Sequence, residues 1–163
     1  MIVLFTDFGP TQVVTGASNF VSVCVKMEHS WLRDLQIDLI SPSGQMIALQ
    51  TFLGQTGSEV FMGTPVDDDD IAPVPGTGAD YCWTPTSLRP PMLTYANQSF
   101  LHDLPAGNYS PAQPFSNLVG AMLNGDWTLK VTDLWAIDNG YIFEWSIAFD
   151  PTIVQDCSTP PIQ

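Results

Sequence analysis

The chain has 163 residues, 45% of them apolar and 11% aromatic, so a single domain can bury a core without relying on disulfide bonds. Acidic residues outnumber basic ones by 17 to 4, and the formal net charge is -13. This balance excludes the cationic patch that nucleic-acid binding requires. No apolar run is long enough to cross a membrane as a helix.

Apolar and polar residues alternate with a period of two in several parts of the chain, which predicts β-strands. The predicted strands are residues 21–27, 35–39, 46–49, 127–131 and 143–149. A Ser-Pro-Ser-Gly turn at 41–44 predicts that the second and third form a hairpin, and Asp138-Asn139-Gly140 predicts a turn before the last. Each strand has one apolar face that a second sheet must cover, so we expect an all-β sandwich.

The middle of the chain, residues 54–117, is rich in Gly, Pro, Thr and Asp, and it contains no helical pattern of convincing length. We expect short strands and long ordered loops there, because a compact domain does not hold so long a structureless loop. After residue 150 the alternation stops and Pro and Thr increase. Residues 1–150 are therefore predicted to form the domain, and residues 151–163 a linker or tail.

The three cysteines, Cys24, Cys82 and Cys157, lie far apart and lack the spacing of metal ligands. An odd number allows at most one intrachain disulfide and leaves one thiol over. The strand register needed to say whether Cys24 and Cys82 pair is not contained in the sequence.

Three segments, in this order and separation, resemble the P domain (Homo B domain) that follows the catalytic domain of proprotein convertases and bacterial subtilisin-like proteases. The first is residues 23–44, with a His, an aromatic residue, an Asp-Leu pair and a Ser-Pro-x-Gly turn. The second is residues 123–133, with Gly-x-Trp-x-Leu-x-Val-x-Asp, and the third is residues 138–149. The resemblance implies a jelly-roll-like antiparallel β-sandwich without catalytic residues of its own.

The insert at residues 61–83 resembles a variant of this domain in secreted, multidomain surface proteins of gliding-type bacteria. The resemblance therefore implies a non-catalytic module of a secreted or cell-surface protein, with a structural or adhesive role beside neighbouring domains of the same chain. An accessory domain of a subtilisin-like protease is the alternative. Members of the family stabilise or orient neighbouring domains, and some bind calcium.

Calcium is the predicted cofactor, because it prefers several hard oxygen ligands brought together on loops. One candidate place is the run of Asp67, Asp68, Asp69 and Asp70, with Asp80 as a further ligand across a Pro-Gly loop. The other pairs Asp34 with Asp133 and Asp138, which match acidic positions of the family motifs at strand ends. The alternatives are a solvated acidic loop and, for Asp138, a side chain that caps a turn.

Hydrolytic catalysis is not predicted. His29 lies in the family's structural motif, where we expect it to form hydrogen bonds within the fold. His102 with Asp103 is not accompanied by a Gly-x-Ser-x-Gly elbow.

Carbohydrate binding is the alternative from another functional class, because sandwich lectins stack sugars on exposed aromatic rings and often use calcium. Trp31, Trp83 and Trp135 are predicted in or near loops, and Trp135 is the first choice for an exposed platform. A glycan or a surface protein would then be the partner.

Overall fold

The computed structural model describes residues 1–54, 57–66, 74–135 and 137–154. Within these ranges the chain forms an all-β sandwich of two sheets with one short helix, as the sequence predicts. The elements are β1 (Ile2–Phe5), β2 (Phe20–His29), β3 (Leu35–Ile40), β4 (Met46–Gln50), β5 (Phe61–Met62), β6 (Ala79–Trp83), α1 (Met92–Ser99), β7 (Asp103–Leu104), β8 (Gly107–Tyr109), β9 (Gly125–Asp133) and β10 (Gly140–Phe149). No helix in the described ranges is long and apolar enough to span a membrane.

The first sheet has the strand order β1-β9-β3-β4, and every neighbouring pair in it is antiparallel. The predicted hairpin is confirmed as β3 and β4. Its turn contains Gly44 at φ 83°, a left-handed conformation that glycine adopts without steric cost. The late strand β9 pairs with β3 of the hairpin, and β1 pairs with β9 on its other side. This sheet therefore brings together both halves of the sequence.

The second sheet is built around β2, which pairs antiparallel with β10 along one edge and with β6 and β5 along the other. The short strands β8 and β7 then pair in parallel with β6 and β5. Pairing of β10 runs from Gly140 opposite His29 to Phe149 opposite Phe20. The last strand therefore runs the full length of the sandwich.

Alternate residues of the long strands point into the space between the sheets and are buried, which is the pattern that period-two alternation predicts. Trp127 on β9 is completely buried and contacts the rings of Phe20 and Phe149 at centroid distances of 5.8 and 5.4 Å. Its indole N–H donates to the Leu123 carbonyl at 3.0 Å. The centre of the core is thus aromatic, and the indole N–H of Trp127 is satisfied there.

Two residues predicted to face the core are exposed, because the pairing of β2 with β10 contains two register shifts. The first falls between Ile142 and Glu144, and Phe143 at this bulge is 45% exposed while Ile142 packs on the core. The second falls near the start of β2, where Val21 is exposed and Phe20 is buried. A bulge adds one residue to a strand and so reverses the faces on either side of it.

The middle of the chain contains the predicted short strands, but also the helix α1, which the sequence did not predict. Pro91 precedes its first residue, and Phe100 ends it in a left-handed conformation at φ 51°. Eight residues show too few turns for a helical period to be visible in the sequence. Trp83, predicted in or near a loop, instead lies on β6 and is completely buried.

Cys24 on β2 and Cys82 on β6 stand directly opposite each other and form a disulfide. The pairing that the sequence left open is therefore settled by strand register. Cys157 lies outside the described residues.

Candidate functional site

Acidic side chains from distant parts of the sequence meet at one end of the sandwich. At this end β3 begins directly after Asp34 and opposite Asp133, the last residue of β9. There β10 also begins, opposite His29 at the end of β2, and Asp138 precedes it by two residues. We call these four residues the end cluster. The structure thus brings together Asp34, Asp133 and Asp138, one of the two sets that the sequence proposed for calcium.

His29 occupies the end cluster as a neutral side chain. Its Nδ1 accepts a hydrogen bond from the Trp31 backbone N–H at 3.0 Å, so its proton is placed on Nε2, which lies 3.5 Å from Asp133 Oδ2. Burial lowers the pKa of His29, although Asp133 and Asp138 act in the opposite direction. The histidine therefore contacts the carboxylates without neutralising their charge.

Hydrogen bonds hold the loops of the end cluster in place. The Leu134 backbone N–H donates to the Asp34 carbonyl at 3.0 Å, and the Trp135 N–H donates to Asp133 Oδ1 at 2.9 Å. The Ser30 hydroxyl donates to Asp138 Oδ1 at 3.3 Å. The loop that follows β9 is consequently positioned by the acidic residues themselves.

Asp34 is the most constrained of the three acids, since only 1% of its surface is exposed. Burial, followed by a hydrogen-bonding contact with Asp138 and the charges of Asp138 and Asp133, raises its pKa to about 7. Two carboxylates can share a hydrogen bond only if one carries a proton, and Asp34 Oδ2 is buried without a hydrogen-bond partner. The arrangement therefore has one acceptor atom that no group of the described residues satisfies.

No lysine or arginine compensates this negative charge within the described part of the chain, where every ion pair involves a histidine. A cation from solution would replace the shared proton and satisfy the buried oxygen, so the donor set fits a hard cation. Among the described residues no three His, Cys, Asp or Glu side chains are already placed to hold a metal ion. Binding would therefore require at least one of these carboxylates to turn.

A cavity of about 280 Å³ lies beside the end cluster. Asp34 and Asp138 line it together with three apolar side chains, Trp31, Trp135 and Ile137. Trp135, the residue that the sequence favoured as an aromatic platform, is 46% exposed. The structure thus places Asp34, Asp138 and this tryptophan in one pocket.

Of the other set of residues predicted for calcium, Asp80 alone lies within the described residues. Asp67, Asp68, Asp69 and Asp70 lie outside the described residues. Asp80 is exposed on β6 and lines a separate groove on the outer face of the second sheet, with Lys26 and Glu144.

His102 lies on the surface, with 61% of its side chain exposed, and is not a buried group. Its Nε2 lies 3.1 Å from Glu59 Oε2, and its Nδ1 lies 3.5 Å from Asp103 Oδ2. Phe61 packs edge-on against its ring. These contacts account for the histidine as part of a surface loop.

Sequence reasoning missed Glu28, which is completely buried although it belongs to the polar side of β2. The Gly76 N–H donates to its Oε1 at 3.4 Å, while its Oε2 has no hydrogen-bond partner among the described residues, and burial raises the pKa of Glu28. The one signal in the sequence is a pair of glycines. A Cβ atom at Gly63 would collide with Glu28 and one at Gly76 with the backbone of Thr64 and Pro65, so glycine lets this segment pack closely over β2.

The raised pKa of Asp34 predicts how its replacement changes the pH dependence of stability. In the folded, metal-free protein Asp34 keeps its proton up to about pH 7. In the unfolded chain the same carboxyl group loses its proton near its usual pKa of 3.8. Its contribution to stability therefore falls as pH rises between these values. We expect Asp34→Asn, which cannot ionise, to gain stability relative to wild type by up to about 1.4 kcal/mol per pH unit in this window.

Urea unfolding of both proteins in chelator, from about pH 4 to about pH 8, measures this difference directly. The lowered pKa of His29 makes stability rise with pH below the usual pKa of histidine. This residue is present in both proteins, so its effect largely cancels in the comparison. Parallel stability curves for the two proteins would contradict the prediction.

Comparison with known proteins gives one match. The family model of the proprotein convertase P-domain matches residues 18–64, which is under a third of the chain. This segment runs through β2, β3 and β4 to β5 and includes His29 and Asp34, but not Asp133 or Asp138. Neither the curated proteins nor the solved structures contain a match.

Proposed function

We propose that this chain is a non-catalytic, P-domain-like module of a larger secreted or cell-surface protein, and that it binds calcium at the end cluster. The match of residues 18–64 to the P-domain family supports the first part. The observation that carries the second part is the buried, unpartnered oxygen of Asp34 among carboxylates that no lysine or arginine neutralises in the described chain.

Calcium suits the end cluster better than zinc does. Calcium takes six to eight oxygen ligands and tolerates irregular geometry, whereas structural zinc needs four nitrogen or sulfur ligands in a tetrahedron. Asp34, Asp133 and Asp138 would supply the carboxylates, with backbone carbonyls of the surrounding loops and water completing the shell. His29 is the one nitrogen donor of the cluster.

The Cys24–Cys82 disulfide supports an extracytoplasmic location, because such bonds persist in oxidising compartments and are rare elsewhere. The role of the module would be structural or adhesive, as in the surface-protein variant of gliding-type bacteria. The accessory domain of a subtilisin-like protease is the second candidate, favoured by the family match itself. Sequencing upstream of this domain distinguishes the two, because a protease would place a catalytic domain with Asp, His and Ser motifs there.

Calorimetric titration of the chelator-treated protein with calcium tests the proposed site. We expect wild type to bind calcium, and Asp133→Asn to bind it roughly tenfold more weakly or worse, because it loses a charged ligand. Asp80→Asn serves as the control and should bind as wild type does, since Asp80 lines a different groove. Loss of binding in Asp80→Asn with retention in Asp133→Asn would overturn the placement and assign the ion to the candidate set of Asp67 to Asp70 with Asp80.

A further inference from the structure

The cavity beside the end cluster combines walls of two opposite kinds. Trp31, Trp135 and Ile137 form an apolar wall, and Asp34 and Asp138 provide hydrogen-bond acceptors. Small-molecule sites typically have this composition, mostly apolar with a few convergent polar groups. The volume, about 280 Å³, lies just below the usual range of roughly 300–1,000 Å³ and suits one small ring.

Trp135 differs from the tryptophans that stabilise the fold. Trp83 and Trp127 are completely buried, whereas nearly half of Trp135 is exposed at the rim of the cavity. Its backbone N–H is held by Asp133 Oδ1 at 2.9 Å, so the residue that the end cluster positions is the same one that lines the cavity. An exposed indole whose backbone is held by Asp133 contributes little to the core and is available to a ligand.

We propose that this pocket binds a single ring of a neutral saccharide, which stacks on Trp135 and directs its hydroxyl groups towards the Asp34–Asp138 side. The proposal rests on the calcium site proposed above, because hydroxyl oxygens are ligands that calcium accepts. Carboxylates accept hydrogen bonds and cannot donate them, so the ligand must bring donors, which sugar hydroxyls do. The C–H face of a pyranose ring provides the apolar surface that an indole ring packs against.

Charge decides which saccharides the pocket takes. The three carboxylates of the end cluster leave a net negative site even with one divalent ion bound, and the chain carries a net charge of -13. Sugars with a carboxylate or sulfate group would be repelled, so neutral sugars are preferred. A basic ligand would compete with calcium for the same oxygens and would bind better in chelator.

Binding to an array of neutral and sialylated oligosaccharides, in millimolar calcium and again in chelator, tests this assignment. We expect binding to neutral glycans that is lost in chelator, with little signal on their sialylated forms. Trp135→Ala should weaken the binding roughly tenfold. Phe143→Ala is the matched control, because Phe143 has nearly the same exposure, 45% against 46%, and does not line the cavity.

The outcomes separate this proposal from the proposed function. If the protein binds calcium in the titration but no glycan on the array, the saccharide proposal is wrong and the calcium module stands. If it binds neither, the calcium site itself has failed. Glycan binding that survives chelator, or that Trp135→Ala leaves unchanged, would also overturn the proposal, because neither the ion nor the indole would then contribute.

Discussion

Calcium in large excess is expected to raise the melting temperature of the chelator-treated protein by about 5 to 10 °C. A ligand that binds only the folded state stabilises it by about 2.7 kcal/mol at a hundredfold excess over Kd, and a domain of this size gains roughly 2 to 4 °C per kcal/mol. The ion would act by replacing the proton shared by Asp34 and Asp138 and by satisfying the buried Asp34 oxygen. Differential scanning calorimetry with calcium, magnesium and chelator measures the shift.

Asp34→Asn is the informative variant for this experiment. It removes a carboxyl group that must take up a proton when the protein folds at neutral pH, so we expect it to melt higher than wild type in chelator and to respond little to calcium. The variant would then have the higher melting temperature in chelator, and wild type the higher one in calcium. Identical melts of wild type in both conditions, together with a metal-free elemental analysis of the purified protein, would exclude the calcium site.

Trp127→Ala is expected to destabilise the domain by about 3 to 5 kcal/mol. The substitution leaves a cavity between Phe20 and Phe149 and removes the indole that donates to the Leu123 carbonyl. Chemical unfolding by urea, followed by circular dichroism, gives the change in free energy.

Trp135→Ala is the control for this prediction, because it deletes the same side chain from a half-exposed position. We expect it to change stability by no more than about 0.5 kcal/mol in chelator. An equal loss of unfolding free energy in the two variants would mean that Trp135 belongs to the core. That result would also remove the basis for the saccharide pocket.

The end cluster could be predicted from sequence because its acids flank strands that pair with one another. Asp133 ends β9 and Asp34 precedes β3, its antiparallel partner, so correct strand positions suffice to bring them together. Asp138 precedes β10 in the same way beside β2. The family resemblance had matched these acids to motif positions, and strand pairing gives the physical reason why they meet.

Features that depend on register could not be predicted in this way. Phe143 alternates correctly in the sequence, but the bulge beside Ile142 turns it outwards. Glu28 occupies a polar position of β2 and is buried only because another segment lies over the strand. Alternation records which face of a strand a residue occupies, and it carries no information on what later covers that face.

The direction of β10 determines how the pocket is presented in a longer protein. This strand of ten residues begins at the end cluster and finishes at the opposite end of the sandwich, about 30 Å away. Any segment that continues from Phe149 therefore leaves the domain at the pole remote from Trp135. The pocket would point away from the chain's C-terminal attachment, where a ligand on another surface could reach it without obstruction by the segment that follows Phe149.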